Sequence, residues 1–329
     1  MKYRFLGKSG LRVSEIGFGA WGIGGDAYGR TEDQESKKAL ACALERGINF
    51  FDTSDIYGAG HSEILLGEVL SPERERVILA TKGGTLPHTG KHMPQDFSAI
   101  HLRAALKSSL ERLRTEYVDL YQLHSPDVPS LPGEVYEELD SFKRQGRTRA
   151  IGVSVRHPDD GLTAMNYYDF DAIQVNFNLI DQRALDIGLF ALARAKNVGL
   201  IIRTPFNFGF LTGAVKDIHF GEKDHRANWP EVQRRCWADS ADLFNSLCEK
   251  ERRTKAQLAL LFCLAFDSVT SVIPGMLTCE EVQENSMSSE LKALDQDELA
   301  AIGQIYRANV FFDPGLKQNI AAERYDKLP

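Results

Sequence analysis

Ile48-Asn49-Phe50-Phe51-Asp52-Thr53-Ser54-Asp55-Ile56-Tyr57-Gly58 is the stretch whose reading decides the fold. Ile48, Phe50 and Phe51 are apolar residues suited to a packed, pleated surface, so the segment begins as a buried strand. It ends in Asp52, a charge that a core does not tolerate without a partner. Tyr57 follows five residues later, in a loop closed by Gly58. A carboxylate at the tip of a buried strand, with a phenol just beyond it, points to an α/β enzyme whose chemistry sits at strand ends.

Working outward, the same pattern recurs. Val77 to Lys82 is a second apolar run that ends in a charge, and Val118 to His124 is a third that ends in a histidine. Further strands are expected near 16, 149, 172, 199 and 269, which makes eight with those near 48, 77 and 118. Helical patterns separate them. One runs from about Thr31 to Arg46 with a capping box over Thr31–Gln34, another from about Ser98 to Arg114 with Leu102, Leu106, Leu110 and Leu113 on one face. Others cover about Ser62 to Leu70, Pro132 to Gln145, Pro158 to Ala164 and Arg183 to Lys196. Alternating strands and helices imply a parallel sheet. Eight such units with no break in composition predict a single (β/α)8 TIM barrel over residues 1–329. Tyr3 to Val13, turning at Gly7-Lys8-Ser9-Gly10, reads as an N-terminal β-hairpin that plugs the barrel's floor. The polar stretch from Leu211 to about Trp237 reads as an excursion over the C-terminal face, where the long loops lie.

With 329 residues, 43% of them hydrophobic, the chain is large enough for such a core. Its net charge of −7 argues against nucleic acid or an acidic membrane as partner. The longest apolar run, Ala256 to Phe266, is too short to span a bilayer. Met1-Lys2-Tyr3-Arg4 does not open a signal peptide. Cys42, Cys236, Cys248, Cys263 and Cys279 are odd in number, far apart and without a CxxC pair. They read as free thiols, which makes a cytoplasmic protein the expectation. The histidines stand at no ligand spacing, so no metal is expected. Monomer and homo-oligomer both fit the sequence.

In a barrel the strand tips share one face, and reading them off gives Asp52, Lys82, His124, Ser154, Gln174, Asn176 and Arg203, with Tyr57 just beyond. Singly, each has an ordinary explanation: a surface lysine, a structural histidine, an aspartate capping a helix, a packed tyrosine. Together they form an acid–base set. A phenol of pKa about 10 is a poor acid at neutral pH. A neighbouring ammonium favours the phenolate and lowers that pKa. A carboxylate holds the lysine, and a histidine hydrogen-bonds a substrate oxygen.

This set resembles that of the aldo-keto reductases. The likeness covers nearly the whole chain: Phe51-Asp52-Thr53-Ser54 with Tyr57-Gly58, Ser62-Glu63 with Leu66-Gly67, and Thr81-Lys82. It continues through Asp119-Leu120-Tyr121 with His124, Gly152-Val153-Ser154, Gln174 with Asn176 and Asn178, Leu211-Thr212-Gly213, and Ile273-Pro274-Gly275 with Glu284-Asn285. The resemblance implies hydride transfer between a nicotinamide dinucleotide and a carbonyl or alcohol substrate (an aldehyde, ketone or sugar). Tyr57 would be the general acid, with Lys82 lowering its pKa, Asp52 paired to Lys82 and His124 orienting the carbonyl. Gly19, Ala20 and Trp21 would lie near the nicotinamide, and Ser154 and Gln174 would hold its carboxamide. Arg203, Thr204 and Phe206 after the seventh barrel strand, and Gly275, Thr278, Glu281 and Asn285 near the C-terminal end, complete the expected cofactor contacts.

Two departures from the family pattern matter. Arg203 stands where many members carry an aromatic residue to stack on the nicotinamide. A guanidinium plane also stacks, and its charge disfavours the oxidised ring; a salt bridge to a loop carboxylate is the plainer alternative. Met276-Leu277-Thr278-Cys279-Glu280-Glu281 has no base where users of the phosphorylated cofactor carry Arg or Lys. A 2′-phosphate would face Glu281, so of the NAD(P)(H) pair NAD(H) is the expected preference. Two other readings compete with this one. Gly17-Phe18-Gly19-Ala20-Trp21-Gly22 fits GxGxxG, but a Rossmann motif should run straight into a helix, with its acid about 20 residues on. Here more glycines follow, and Asp52 comes late. A cofactor-binding regulatory subunit of the same family is the other rival, disfavoured by the presence of all four catalytic residue types. Substrate choice is expected to rest on Trp21, Tyr28, the loop after Ser125, the 211–237 excursion with Trp229, and the tail Phe311 to Leu316.

Overall fold

The computed structural model describes residues 1–87, 93–221 and 223–312. Eight parallel strands follow one another in chain order: β3 (Phe18–Gly19), β4 (Phe50–Asp52), β5 (Ile78–Gly83), β6 (Val118–His124), β7 (Thr148–Ser154), β8 (Ala172–Asn176), β9 (Gly199–Arg203) and β10 (Val269–Val272). Parallel bridges Ile16↔Val272 and Gly19↔Gly275 join the two ends and close the barrel. Gly19 is required at that seam, because a Cβ there would lie 2.7 Å from the Ile273 carbonyl oxygen. The expected TIM barrel is therefore the architecture observed.

Alternation along the strands sorts the side chains into two cores. Residues facing outward pack against the helices. Phe50, Ala80, Leu120, Ala150, Ala172 and Ile201 face inward. Three of those six are alanines, so the barrel alone cannot fill its own lower half. The hairpin β1 (Tyr3–Phe5) and β2 (Arg12–Ser14) supplies the missing volume. Its Leu6, Leu11 and Val13 are at most 1% exposed and belong to the same interior cluster. The plug is thus real, and it leaves only the C-terminal end open.

Helix boundaries moved where local chemistry decides them. The first long helix begins at Asp33, and its N-cap Glu32 makes no side-chain cap bond, so the expected box over Thr31–Gln34 does not form. Reciprocal capping boxes occur instead at Thr254–Gln257 and Asp295–Glu298. The helix expected over Arg183–Lys196 splits into Arg183–Asp186 and Leu189–Lys196, because Gly188 adopts φ 79° between them. The apolar run near Ala256 forms the buried helix Lys255–Leu264. Among the described residues no helix is long and apolar enough to cross a membrane.

The reading of all five cysteines as free thiols fails for two of them. Cys42 and Cys279 form a disulfide, with Cα atoms 5.6 Å apart. It ties the helix Asp33–Glu45 to the helix Cys279–Met287. The partners are 237 residues apart in sequence, so no spacing could reveal a pair that only the packing of two outer helices creates. Cys248 and Cys263 form no disulfide among the described residues, and Cys236 Sγ lies within hydrogen-bond distance of the Val310 and Phe311 carbonyls.

The excursion crosses the C-terminal face as expected. Asp224 pairs with Tyr28 in an antiparallel bridge, and the helix Glu231–Ser240 follows. Phe311 and Phe312 of the tail pack here: the Phe311 carbonyl accepts from Gln233 Nε2 at 2.8 Å, and the Phe312 ring lies 6.0 Å from Trp237. The rest of the expected tail, 313–316, lies outside the described residues.

Leu11→Ala should open a cavity under the barrel floor and cost about 2–5 kcal/mol in urea unfolding. The slope of unfolding free energy with urea should be unchanged, because the same surface is exposed. A loss under about 0.5 kcal/mol would mean that the hairpin does not seal the barrel.

Candidate active site

One step above the apolar layer, the inward positions turn polar. Two residues beyond Phe50, Ala80, Leu120, Ala172 and Ile201, on the same face, come Asp52, Lys82, Gln122, Gln174 and Arg203. Register brings them level across the sheet: Lys82 is opposite Gln122, His124 opposite Ser154, Ser154 opposite Gln174, and Asn176 opposite Arg203.

Lys82 is the hub. Its ammonium donates to Asp52 Oδ1 at 2.5 Å, to the Thr53 carbonyl at 2.7 Å and to the Tyr57 phenol oxygen at 3.4 Å. Those three acceptors match its three hydrogens. Asp52 Oδ2 accepts from Gln122 Nε2 at 3.0 Å and Gln174 Nε2 at 2.7 Å. His124 meets the Tyr57 ring edge-on, with centroids 5.8 Å apart. The four residues expected to carry the chemistry are thus in one cluster.

The loop that carries Tyr57 is braced by the glycine-rich segment after β3. Gly58, at φ 59°, donates its amide to Asp26 Oδ2 at 3.0 Å. A Cβ on Gly58 would meet the Gly24 oxygen at 2.1 Å. The glycines that imitate a dinucleotide fingerprint therefore permit two loops to pack backbone against backbone.

A cleft of about 510 Å³ opens above the cluster. At one end it is lined by Asp52, Tyr57, Gln174 and Arg203, with Gly19, Ala20 and Trp21 on one wall and Thr204 and Phe206 on another. At the far end lie Gly275, Glu281 and Asn285. Two expected cofactor contacts stand elsewhere. Ser154 is buried behind the cleft and donates to Gln174 Oε1 at 3.0 Å. Thr278 caps the helix Cys279–Met287 by accepting from the Glu281 amide. The cleft also takes in Tyr28 and, from the excursion, Arg226, both expected, together with Phe208 and Leu277, which were not. Trp21 packs on Tyr28 and lies 6.2 Å from Tyr57, ring centre to ring centre. Trp229 is 5.0 Å from Trp237 and 6.1 Å from Phe208, in the body of the excursion.

The residues present fit an extended dinucleotide. The volume lies in the range of small-molecule sites. Gly275 leaves open space where a side chain would stand. The Arg203 Nε is buried without a partner, a donor awaiting an acceptor.

A model of the aldo/keto reductase family matches residues 15–307. The chain belongs to the aldo/keto reductase family. It is 30% identical to the L-galactose dehydrogenase of Arabidopsis thaliana over 97% of this chain and 99% of that protein. It is 45% identical to the 6-dehydroglucose reductase of Novosphingobium aromaticivorans, over 50% of this chain and 55% of that protein. Among solved structures it resembles the glycerol dehydrogenase of Gluconobacter oxydans, with a TM-score of 0.80 and 28% identity over 95% of this chain and 97% of that one. As an aldo/keto reductase the protein is an oxidoreductase, of a family that uses nicotinamide cofactors.

The electrostatics of this aldo/keto reductase differ in one respect from the sequence expectation. Burial raises the Tyr57 pKa more than the Lys82 and Arg203 charges lower it, and Asp52 adds to the rise. The phenol therefore stands above its ordinary value, not below it. Burial also works against the Lys82 charge, but Asp52 and the phenol more than offset it, and the ammonium is held more firmly than in water. Arg203 forms no ion pair among the described residues; its Nη2 donates to the Val155 carbonyl at 3.0 Å. The salt-bridge alternative for Arg203 therefore falls away.

Gly58→Ala should push the Tyr57 loop off Gly24. A displacement of about 1 Å at a reacting group costs on the order of 100-fold in kcat/KM. Steady-state kinetics with thermal unfolding as control checks this, and an unchanged kcat/KM would show that the loop contact does not aim Tyr57.

Proposed function

We propose that the protein interconverts a carbonyl and an alcohol on a small hydroxylated substrate, with Tyr57 exchanging the proton at the substrate oxygen. The observation that carries this reading is the Lys82 ammonium, buried and bonded at once to Asp52 and to the Tyr57 oxygen. Because the phenol oxygen accepts from Lys82, its own hydrogen is directed elsewhere, and the cleft lies on that side. When the substrate oxygen gains charge, Tyr57 gives up that hydrogen, and the phenolate formed rests against a cation already in place. His124 adds a hydrogen bond to the same oxygen. The nicotinamide, when bound, supplies or takes up the hydride. Gln174 and Arg203 would hold it, with the guanidinium stacking on the ring and favouring its neutral, reduced form.

A sugar, a triose or a short polyol is the favoured substrate class. The relatives bear the names of galactose, 6-dehydroglucose and glycerol enzymes. Trp21 and Tyr28 give the cleft an aromatic wall on which a sugar face can stack. NAD(H) is the favoured cofactor. Glu281 and Glu284 line the far end of the cleft, and no Arg or Lys lines it there among the described residues. The Glu281 carboxylate accepts from the Leu277 amide at 2.6 Å, so it is fixed in place as a negative charge. A 2′-phosphate of charge about −2 would approach it without a guanidinium partner.

Tyr57→Phe should lower kcat/KM by about 10²–10⁴-fold against a panel of aldehydes, ketones, aldoses and polyols, the range for loss of a general acid. Retention of the wild-type rate would remove Tyr57 from the reaction. In the same assay kcat/KM should favour NADH over NADPH, by at least about tenfold on the cost of one unpaired charge contact. A clear advantage for NADPH would refute the cofactor reading.

A further inference from the structure

Ser54 and Asp55 lie between the Tyr57 loop and His124, and the reading above gives them no task. The Ser54 hydroxyl is 2.9 Å from His124 Nδ1 and donates to Asp55 Oδ1 at 3.1 Å. The Ile56 amide points at the same hydroxyl oxygen from 3.5 Å. A serine has one hydrogen to give. While Asp55 is a carboxylate it holds that hydrogen, and the contact with His124 then runs from Nδ1–H to the serine oxygen. Neutral His124 in this state bears its hydrogen on Nδ1 and only a lone pair on Nε2. A carbonyl oxygen needs a donor, whereas an alcohol hydroxyl needs an acceptor.

We propose that Ser54 and Asp55 are positioning residues that decide which nitrogen of His124 carries its hydrogen, and so whether the site receives an alcohol or a carbonyl. With Asp55 ionised, Nε2 accepts the hydroxyl hydrogen of an alcohol. When Asp55 takes one proton from solvent, its O–H donates to Ser54 and Ser54 donates to Nδ1. The ring releases its Nδ1 proton to solvent and takes one from solvent on Nε2, so the site gains one proton overall, on Asp55, and Nε2–H then donates to a carbonyl. The inference rests on the reading of His124 as a ligand of the substrate oxygen.

The surroundings of Asp55 put this change within reach of ordinary pH. Burial and the nearby Glu63 carboxylate raise its pKa to about 7, against the lowering effects of Ser54, Arg112 and the Ile56 amide. Glu63 itself is engaged by Arg112 Nε at 2.7 Å and by Thr81 Oγ1 at 2.5 Å, so Arg112 is shared and cannot neutralise both carboxylates. The buried Tyr121 phenol also faces the pair and carries no charge of its own. On the strand side, the Asp55 amide donates to the Lys82 carbonyl at 3.3 Å, which fixes the backbone while the side chain titrates.

The test uses the full chain with ¹⁵N-labelled histidine, the His124 signals being assigned by their loss in His124→Gln. At pH 8.5 the wild type should show the Nδ1–H form, and its population should change as pH falls through about 7. Asp55→Asn, whose amide donates permanently to Ser54, and Ser54→Ala should both move the hydrogen to Nε2 at pH 8.5. Ser54→Thr, which keeps the hydroxyl, should restore the wild-type form. The same tautomer in all of these proteins, or Nε2–H in the wild type at pH 8.5, would overturn the proposal. Kinetics supply a second readout, with glyceraldehyde and glycerol as probes. No variant alters the equilibrium of the reaction, so Asp55→Asn should show opposite changes in two affinities at pH 8.5. KM for glyceraldehyde should fall and KM for glycerol should rise, each about tenfold for one hydrogen bond gained or lost. Parallel changes in both would point to a merely structural role. If the wild type turned over neither these probes nor the panel, the reaction reading would fail, while the spectra would still decide the tautomer.

Discussion

The structure turns on a buried ion pair. Lys82 and Asp52 have side-chain exposures of 0% and 3%, at a depth where either charge alone would be prohibitive. They are tolerated because every valence is used. The three ammonium hydrogens have acceptors, and both carboxylate oxygens have donors. Stability does not explain such a pair, since an apolar pair of equal volume commonly serves a fold as well or better. What the ion pair adds is a fixed positive charge beside Tyr57, in a place that water does not reach. The alanine-rich layer beneath it, filled by the hairpin, keeps that place dry from below.

Much of this was legible in alternation. Phe50 and Asp52, Ala80 and Lys82, and Ile201 and Arg203 each place an apolar residue and then a polar one on the same face of a strand ending at the barrel mouth. That pattern supplied the barrel, the ion pair and Arg203 together. Gln122 obeys the same rule after Leu120, yet it escaped notice because the histidine two residues further on drew the reading to the strand's last position. The disulfide was invisible for a different reason. It depends on how two outer helices meet, and that information is spread over every residue between them. Ser154 stands at the expected height, and its hydroxyl donates to Gln174 Oε1 beside it. The cap of the first long helix was misplaced by one residue, Glu32 standing as N-cap where Thr31 was expected, a difference that propensity does not resolve.

The mouth is asymmetric in charge. Arg203 lines one part of the cleft and forms no ion pair among the described residues, while Glu281 and Glu284 line another. The excursion adds aromatic and apolar surface to the cleft, and its Arg226 is paired with Asp224 at 2.6 Å. The cleft thus holds a guanidinium beside the Lys82–Tyr57 cluster and two carboxylates elsewhere in its lining. The barrel can be common to the whole family, while the loops that carry Trp21, Tyr28 and Phe208 give this cleft its own lining.

The direction of the Tyr57 shift sharpens the part that Lys82 plays. Had the cation simply depressed the resting pKa, the phenol would lose its proton before a carbonyl arrived. Burial prevents that, and the resting phenol remains a loaded donor at neutral pH. On the proposed reaction the ammonium matters at the moment the proton leaves, when the developing phenolate finds a hydrogen bond and a full positive charge already oriented. Desolvation and the buried cation are therefore not rival influences on one pKa. The first keeps the proton in place before reaction, and the second lowers the cost of giving it up. Both follow from setting Lys82 and Asp52 at adjacent strand tips above a sealed barrel.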